Sequence, residues 1–197
     1  MDREQFRQWA HRAADWSADY LESIEERPVR AQTAAGDIAK RLPGSPPQEG
    51  EDMAQIFEDV DTILMPGMTH WQHPRFFAYF PANSSPPSVI AEYLTATMAA
   101  QCMLWQTSPA ATELETVVLD WLRQMIGLPE TFQGVIQDSA SSATLAAILT
   151  GRERALGFQG NQAGLAGHPA VRVYCSVQAH SSIDKAVWIA GIGQANL

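Results

Sequence analysis

The chain has 197 residues, 46% of them hydrophobic and including 6 Trp and 7 Phe, which suits a packed globule of one domain or two small ones. Thirteen Lys and Arg against 22 Asp and Glu leave a net charge of -9, which disfavours nucleic acid and anionic membrane as partners. Residues 1–66 hold 14 acidic and 7 basic side chains, and residues 67–197 hold 8 and 6, so the acidity belongs to the N-terminal region.

Phe6, Trp9, Ala13, Trp16, Tyr20 and Ile24 recur at spacings of three and four, which predicts an amphipathic helix from Asp2 to Glu26 closed by Pro28. Its aromatic face must pack on the rest of the chain or on a second subunit. Residues 42–50 are a linker by composition, rich in Pro and Gly. Met53, Ile56, Phe57, Val60, Ile63 and Leu64 restore the helical spacing until Met65-Pro66-Gly67 stops it. Residues 68–84 crowd Trp71, Phe76, Phe77, Tyr79 and Phe80 among His70, His73, Pro74 and Pro81. No period survives there, so the expectation is an aromatic loop with a short extended piece at 76–80, either a pocket wall or a clamp on the core.

Ser85-Pro86-Pro87 opens the next helix, with Val89, Ile90, Tyr93, Leu94 and Met98 on its apolar side. Ser108-Pro109 opens another, whose apolar residues Leu114, Val117, Val118, Trp121, Leu122, Met125 and Ile126 end at Gly127. From Gly134 the pattern becomes strand, helix, strand, helix, which predicts an α/β fold with a parallel or mixed sheet covered by helices. The strands are residues 134–137 and 171–176, the helices run to about Ala155 and Ala190, and Ser181 and Asp184 read as a capping box for the second. Residues 157–167 contain four glycines without periodicity and read as a mobile surface loop. Residues 193–197 read as a turn into a further strand, so the sheet is expected to be incomplete.

Between the strand at 134–137 and its helix lies a run of small hydroxylated residues, Ser139 to Ser142. A helix start offers N–H groups without intrahelical partners and a positive dipole end, and small side chains let a phosphate approach. Read alone, Ser139 is equally an ordinary N-cap. His180 follows the second strand and precedes its helix, at the same kind of sheet edge where ligands bind in open α/β folds. An imidazole there could stack on a flat ligand or move a proton, or serve only structure. Cys102 and Cys175 have no partner spacing that suggests a disulfide or a metal site, and Cys175 reads as a buried thiol. The charged N-terminus has no apolar signal-peptide core, and no run approaches the roughly 20 apolar residues of a membrane span, so a cytoplasmic protein is expected.

Four blocks carry a resemblance: Phe76-Phe77-Ala78-Tyr79-Phe80-Pro81, the run from Ser108 to Glu115, the run from Gly134 to Thr144, and Gln178-Ala179-His180-Ser181-Ser182. In this order the chain resembles the aromatic-L-amino-acid decarboxylase family, the pyridoxal-phosphate-dependent group II decarboxylases, along essentially its whole length. The resemblance implies an N-terminal helical dimerisation arm and aromatic loop over residues 1–84. Residues 85–197 would then be the first part of an aspartate-aminotransferase-like (fold type I) domain that binds pyridoxal 5'-phosphate. It further implies that Ser139, Ala140 and Ser141 hold the cofactor phosphate, and that His180 stacks on the pyridine ring and helps to position and protonate the substrate. Trp71, Tyr79, Phe80, Pro81 and Ala82 would line the substrate pocket, and the arm would embrace a second subunit in a homodimer through Phe6, Trp9 and Trp16.

Departures from the family pattern fall at Ala82, where Thr is usual, at Gln101 and Met103, where apolar and aromatic residues are usual, and at Asp138, where Gly is usual. They bear on which amino acid is the substrate. The two lysines, Lys40 and Lys185, do not match the family's Schiff-base motif, which lies beyond residue 197. The expectation is therefore the N-terminal portion of a decarboxylase, completed by a missing C-terminal portion and inactive alone. An aldehyde synthase on the same scaffold, or a non-catalytic fragment that pairs with a full-length homologue, are the alternatives.

Overall fold

Asp2 starts the first helix by accepting the backbone N–H groups of Glu4 and Gln5 at 2.8 Å each, while Gln5 returns a bond to the Asp2 N–H. That reciprocal box satisfies N-terminal donors that the helix cannot satisfy itself. Helix α1 runs Arg3–Glu22 and a 3-10 turn, Ile24–Glu26, carries the chain to Pro28, as the spacing predicts. In this computed structural model residues 1–80 and 82–197 are described, and they form two units, Met1–Ala99 and Ala100–Leu197.

In the first unit, α2 (Met53–Asp59) passes into a π-helical turn, Val60–Leu64, and a 3-10 turn, Met65–Gly67. The aromatic face of α1 meets this segment within the same chain. Trp9 stacks on Phe57 at 5.5 Å, and the Trp16 indole N–H donates to Asp61 at 2.7 Å. Tyr20 stacks on Trp16 and reaches His70. Trp9 and Trp16 thus have partners inside their own unit, whereas Phe6 stays half exposed in an apolar groove between α1 and α3 (Pro86–Met98). Ser85 and Ser88 cap α3 reciprocally, behind Pro at the first helical positions.

The second unit begins with α4 (Pro109–Met125), stopped by Gly127 at φ +74°, a backbone conformation that glycine adopts without strain. Its apolar stripe from Leu114 to Ile126 is exposed, and the half-covered stripe is Thr112, Glu115, Leu119 and Arg123. Helix α5 (Ala140–Ala155) packs against α7 (Ser182–Ile189). Val187, Ala190 and Ile192 form the buried centre, with Ile148, Leu149, Val171, Val173, Ile183 and Leu197 against it. Arg152 Nη1 donates to the Ala190 carbonyl at 2.6 Å and joins the C-terminal ends of the two helices.

Four sequence expectations are corrected here. Residues 134–137 and 171–176 form no strand among the described residues: a strand exists through its ladder, and neither run has a neighbouring strand among them to pair with. Ile136 N–H goes to the Glu115 carboxylate, and Val173 N–H goes to the Asn196 carbonyl at 2.9 Å. Without neighbouring strands Cys175 is exposed, not buried. The 157–167 segment is not structureless: α6 (Gly160–Ala163) folds back so that Asn161 N–H donates to the buried Glu153 at 2.9 Å. Residues 194–196 make a 3-10 turn in place of a strand entry, with the Asn196 side chain donating to Ile192 O.

Candidate cofactor and substrate site

The seat expected for an anion is built by one cap. Ser139 is extended (φ -156°, ψ 161°), and its Oγ accepts the Ser142 N–H at 3.2 Å and lies 3.1 Å from the Ser142 hydroxyl. Its carbonyl accepts from Ala143 N–H, which closes the first turn of α5. None of the hydrogen bonds among the described residues uses the N–H groups of Ala140 or Ser141, or the Ser141 hydroxyl, and all three residues from Ser139 to Ser141 are exposed. Two backbone donors and a hydroxyl at the positive end of a 16-residue helix suit a phosphate in number and sign. Asp138, exposed immediately before the cap, sets a carboxylate beside that seat.

His180 stands at the head of α7. The capping box expected of Ser181 and Asp184 is absent: Ser181 already has helical torsions (φ -58°, ψ -8°), and its side chain makes no cap. His180 takes that role, its Nδ1 accepting the Ser182 N–H at 3.2 Å. With Nδ1 accepting, the neutral ring carries its proton on Nε2, and the ring is exposed. The helix that His180 heads packs against the helix whose first turn carries the seat. Lys185 lies one turn further along α7, exposed.

The residues expected to line a substrate pocket lie in the first unit. Trp71 stacks on Phe76 (4.8 Å) and on Tyr79 (5.7 Å). Tyr79 has φ +55°, so the expected extended piece at 76–80 is instead a bend, and the backbone turn presents Tyr79 and Phe80 almost fully to solvent. Gln72 closes the loop by accepting Ser84 N–H at 3.1 Å and donating to the Ser84 hydroxyl at 3.0 Å. Ala82 is exposed inside that closure, and Pro81 lies outside the described residues.

Two residues that anchor the loop carried no signal of this role in the sequence. His70 is buried with Nδ1 at 2.9 Å from the Tyr20 hydroxyl, and burial, then the Arg27 charge, then His73 hold its imidazole below the ordinary 6.5. His73 is buried too: Nδ1 accepts Arg75 N–H, so Nε2 carries the proton and donates to Glu25 O at 3.3 Å. Among the described residues no group of three or more His, Cys, Asp or Glu is placed to hold a metal, and no helix is long and apolar enough to cross a membrane.

Residues 36–196 match the family model described as the pyridoxal-dependent decarboxylase conserved domain. The chain is 43% identical to the phenylacetaldehyde synthase of Arabidopsis thaliana over 100% of its own length and 40% of that protein. It is 42% identical to the aromatic-L-amino-acid decarboxylase of Mus musculus over 98% of its length and 42% of that protein. The fold matches the crystal structure of Oryza sativa TDC with PLP and tryptamine at a TM-score of 0.91 and 34% identity, over 100% of this chain and 41% of that one. The chain thus spans about two fifths of the length of these relatives.

Proposed function

The chain belongs to the pyridoxal-dependent decarboxylase family, and from that premise we propose that it supplies one side of the active site of an enzyme that removes the carboxylate of an aromatic L-amino acid. The observation that supports the reading is the set of unused donors at Ala140 and Ser141, at the start of a helix that packs against the one His180 heads. In this reading Ser139 shapes the first turn of α5, and the Ala140 and Ser141 N–H groups with the Ser141 hydroxyl bind the cofactor phosphate. Pyridoxal phosphate, when bound, supplies the electron sink for the bond to the carboxylate. His180 would stack on the cofactor ring and orient the substrate, and its exposed ring would help to move a proton at the carbon that loses carbon dioxide. Trp71, Tyr79 and Phe80, with Ala82 and Pro81, bind the substrate side chain and exclude water from it.

The lysine that attaches the cofactor comes from sequence beyond Leu197 in this reading, supported by the two fifths of its relatives that the chain spans. Residues 1–84 form the helical arm and 85–197 the start of a fold type I domain, in a cytoplasmic homodimer. The test is the protein at its natural length, loaded with pyridoxal phosphate and given L-tryptophan, L-tyrosine and L-phenylalanine. Carbon dioxide released in equal amount to an amine supports the reading, and no carbon dioxide from any of them ends it. A second reading, aldehyde synthesis, is favoured by the 43% identity to phenylacetaldehyde synthase. Conversion of an amino acid to an aldehyde requires an oxidant, so oxygen uptake that matches carbon dioxide release distinguishes it.

A further inference from the structure

We propose that Glu115 is a positioning residue for the phosphate seat, acting through the backbone at Ile136; this rests on the reading that Ser139 to Ser141 hold the cofactor phosphate. Glu115 sits on the half-covered stripe of α4, and its Oε1 accepts the Ile136 N–H at 2.8 Å. One turn further along the same face, the Leu119 side chain lies against Gly134. A Cβ built on Gly134 would stand 3.3 Å from Leu119 Cδ2 and 3.4 Å from its Cβ, so the absence of a side chain there lets the chain lie close to α4. Residues 115 and 119 are neighbours on a helix face. The helix therefore holds the run at two alternate residues, one by a charge-assisted hydrogen bond and one by contact.

That grip has a consequence at the seat because little chain separates them. Three residues lead from Ile136 to Ser139, a reach of at most about 10 Å. Ser139 then sets the direction of the Ala140 and Ser141 N–H groups through its own cap. Among the described residues Ile136 N–H has no other acceptor, so a carboxylate does for it what a neighbouring strand would otherwise do. Loss of the Glu115 oxygen frees the run and misaligns donors that must meet a phosphate within hydrogen-bond distance. The group of the cofactor that senses this is the phosphate, not the pyridine ring.

The test uses the natural-length apoprotein and two ligands, pyridoxal phosphate and pyridoxal, which lacks the phosphate, with dissociation constants read from quenching of tryptophan fluorescence. E115L is expected to weaken pyridoxal phosphate about tenfold, the scale of one hydrogen bond to a charged group, and to leave pyridoxal within about twofold. E115Q keeps an oxygen that can accept Ile136 N–H and is expected to stay within about threefold of the unsubstituted protein for both ligands. Should E115L fail to fold, E115D, which withdraws the carboxylate by one methylene, is expected to show the same phosphate-selective loss to a smaller degree. Equal weakening of both ligands, unchanged binding in E115L, or E115Q as damaging as E115L would overturn the proposal. If the unsubstituted protein binds the two ligands equally, the phosphate seat itself fails. A preference for pyridoxal phosphate that survives E115L removes only the role of Glu115.

Discussion

The Tyr20 hydroxyl lies 2.9 Å from His70 Nδ1, and through this bond the first helix holds the start of the aromatic loop. Next to it Arg27 lies over the Tyr20 ring at 5.1 Å, and the His70 N–H donates to Val29 O at 3.0 Å. Tyr20→Phe keeps the stacking on Trp16 but leaves a buried ring nitrogen without its partner. The expected loss is about 1–2 kcal/mol, read as a lower midpoint of urea unfolding at unchanged slope. An unchanged midpoint would show that His70 finds another partner.

The same contact predicts how stability depends on pH. Burial, Arg27 and His73 depress the folded-state value of His70, so below pH 6.5 the unfolded chain takes up a proton that the folded chain resists. The contribution of His70 is therefore complete above the ordinary 6.5, declines as pH falls below it, and levels off below the depressed folded value. Unfolding midpoints measured between pH 7.5 and 5, values on the order of one unit either side of the ordinary one, should fall for the natural chain. The decline should be shallower for His70→Gln, and equal slopes in the two proteins would exclude His70 as its source.

Glu153 should govern a lower pH range. Burial alone would raise its value, but the Asn161 N–H, the hydrogen bonds and charge of Arg152, and His168 outweigh it and hold the carboxyl below its usual range. Its contribution is present above the ordinary carboxylate value and is lost as pH falls through the depressed one. Glu153→Gln should therefore lower stability at neutral pH and bring the natural and variant proteins together in acid. Gly160→Ala should destabilise by the same route, because a Cβ at Gly160 would press on Glu153 Oε1. A variant as stable as the natural chain at neutral pH would show that the Arg152–Glu153 pair contributes nothing.

What the sequence makes legible is local. The helix start at Asp2, Pro86 and Pro109 inside helix starts, and Gly127 beyond a helix end are each local signals, and the structure has helix boundaries at all of them. Illegible were relations that depend on distant chain. The apolar residues of α4 mark a helix correctly, but the face its own unit covers is the one with Glu115 and Leu119. The runs at 134–137 and 171–176 have strand composition, yet composition supplies no ladder. At the candidate site the Ser139 cap was readable from residue type, whereas the His180 bond to Ser182 N–H and the His70 and His73 anchors required the fold.

Ser139 and Ser141 should separate structure from binding. Ser139→Ala removes the α5 cap and is expected to cost about 1 kcal/mol of stability, read by thermal unfolding. Ser141 makes no side-chain hydrogen bond among the described residues, so Ser141→Ala should leave the melting temperature unchanged and still weaken pyridoxal phosphate several-fold, roughly the effect of one hydrogen bond. Equal affinity in Ser141→Ala and the natural chain would remove its hydroxyl from the seat.

His180 has two roles that one substitution would confuse, since its Nδ1 caps α7 while its ring is the proposed partner of cofactor and substrate. His180→Ala removes both. His180→Asn keeps an oxygen two bonds from Cβ that can accept the Ser182 N–H, as Asn commonly does before a helix, but offers no aromatic face and no titrating proton. In the natural-length enzyme His180→Asn should therefore keep stability close to that of the unsubstituted protein, whereas His180→Ala should lose about 1 kcal/mol with the cap. Both should lower turnover by about a hundredfold or more, the usual scale of a lost general acid. Cofactor affinity should change far less, because the phosphate donors lie on α5. If His180→Asn turned over at the natural rate, the imidazole would be a cap and nothing more, and the proton would have to come from another group.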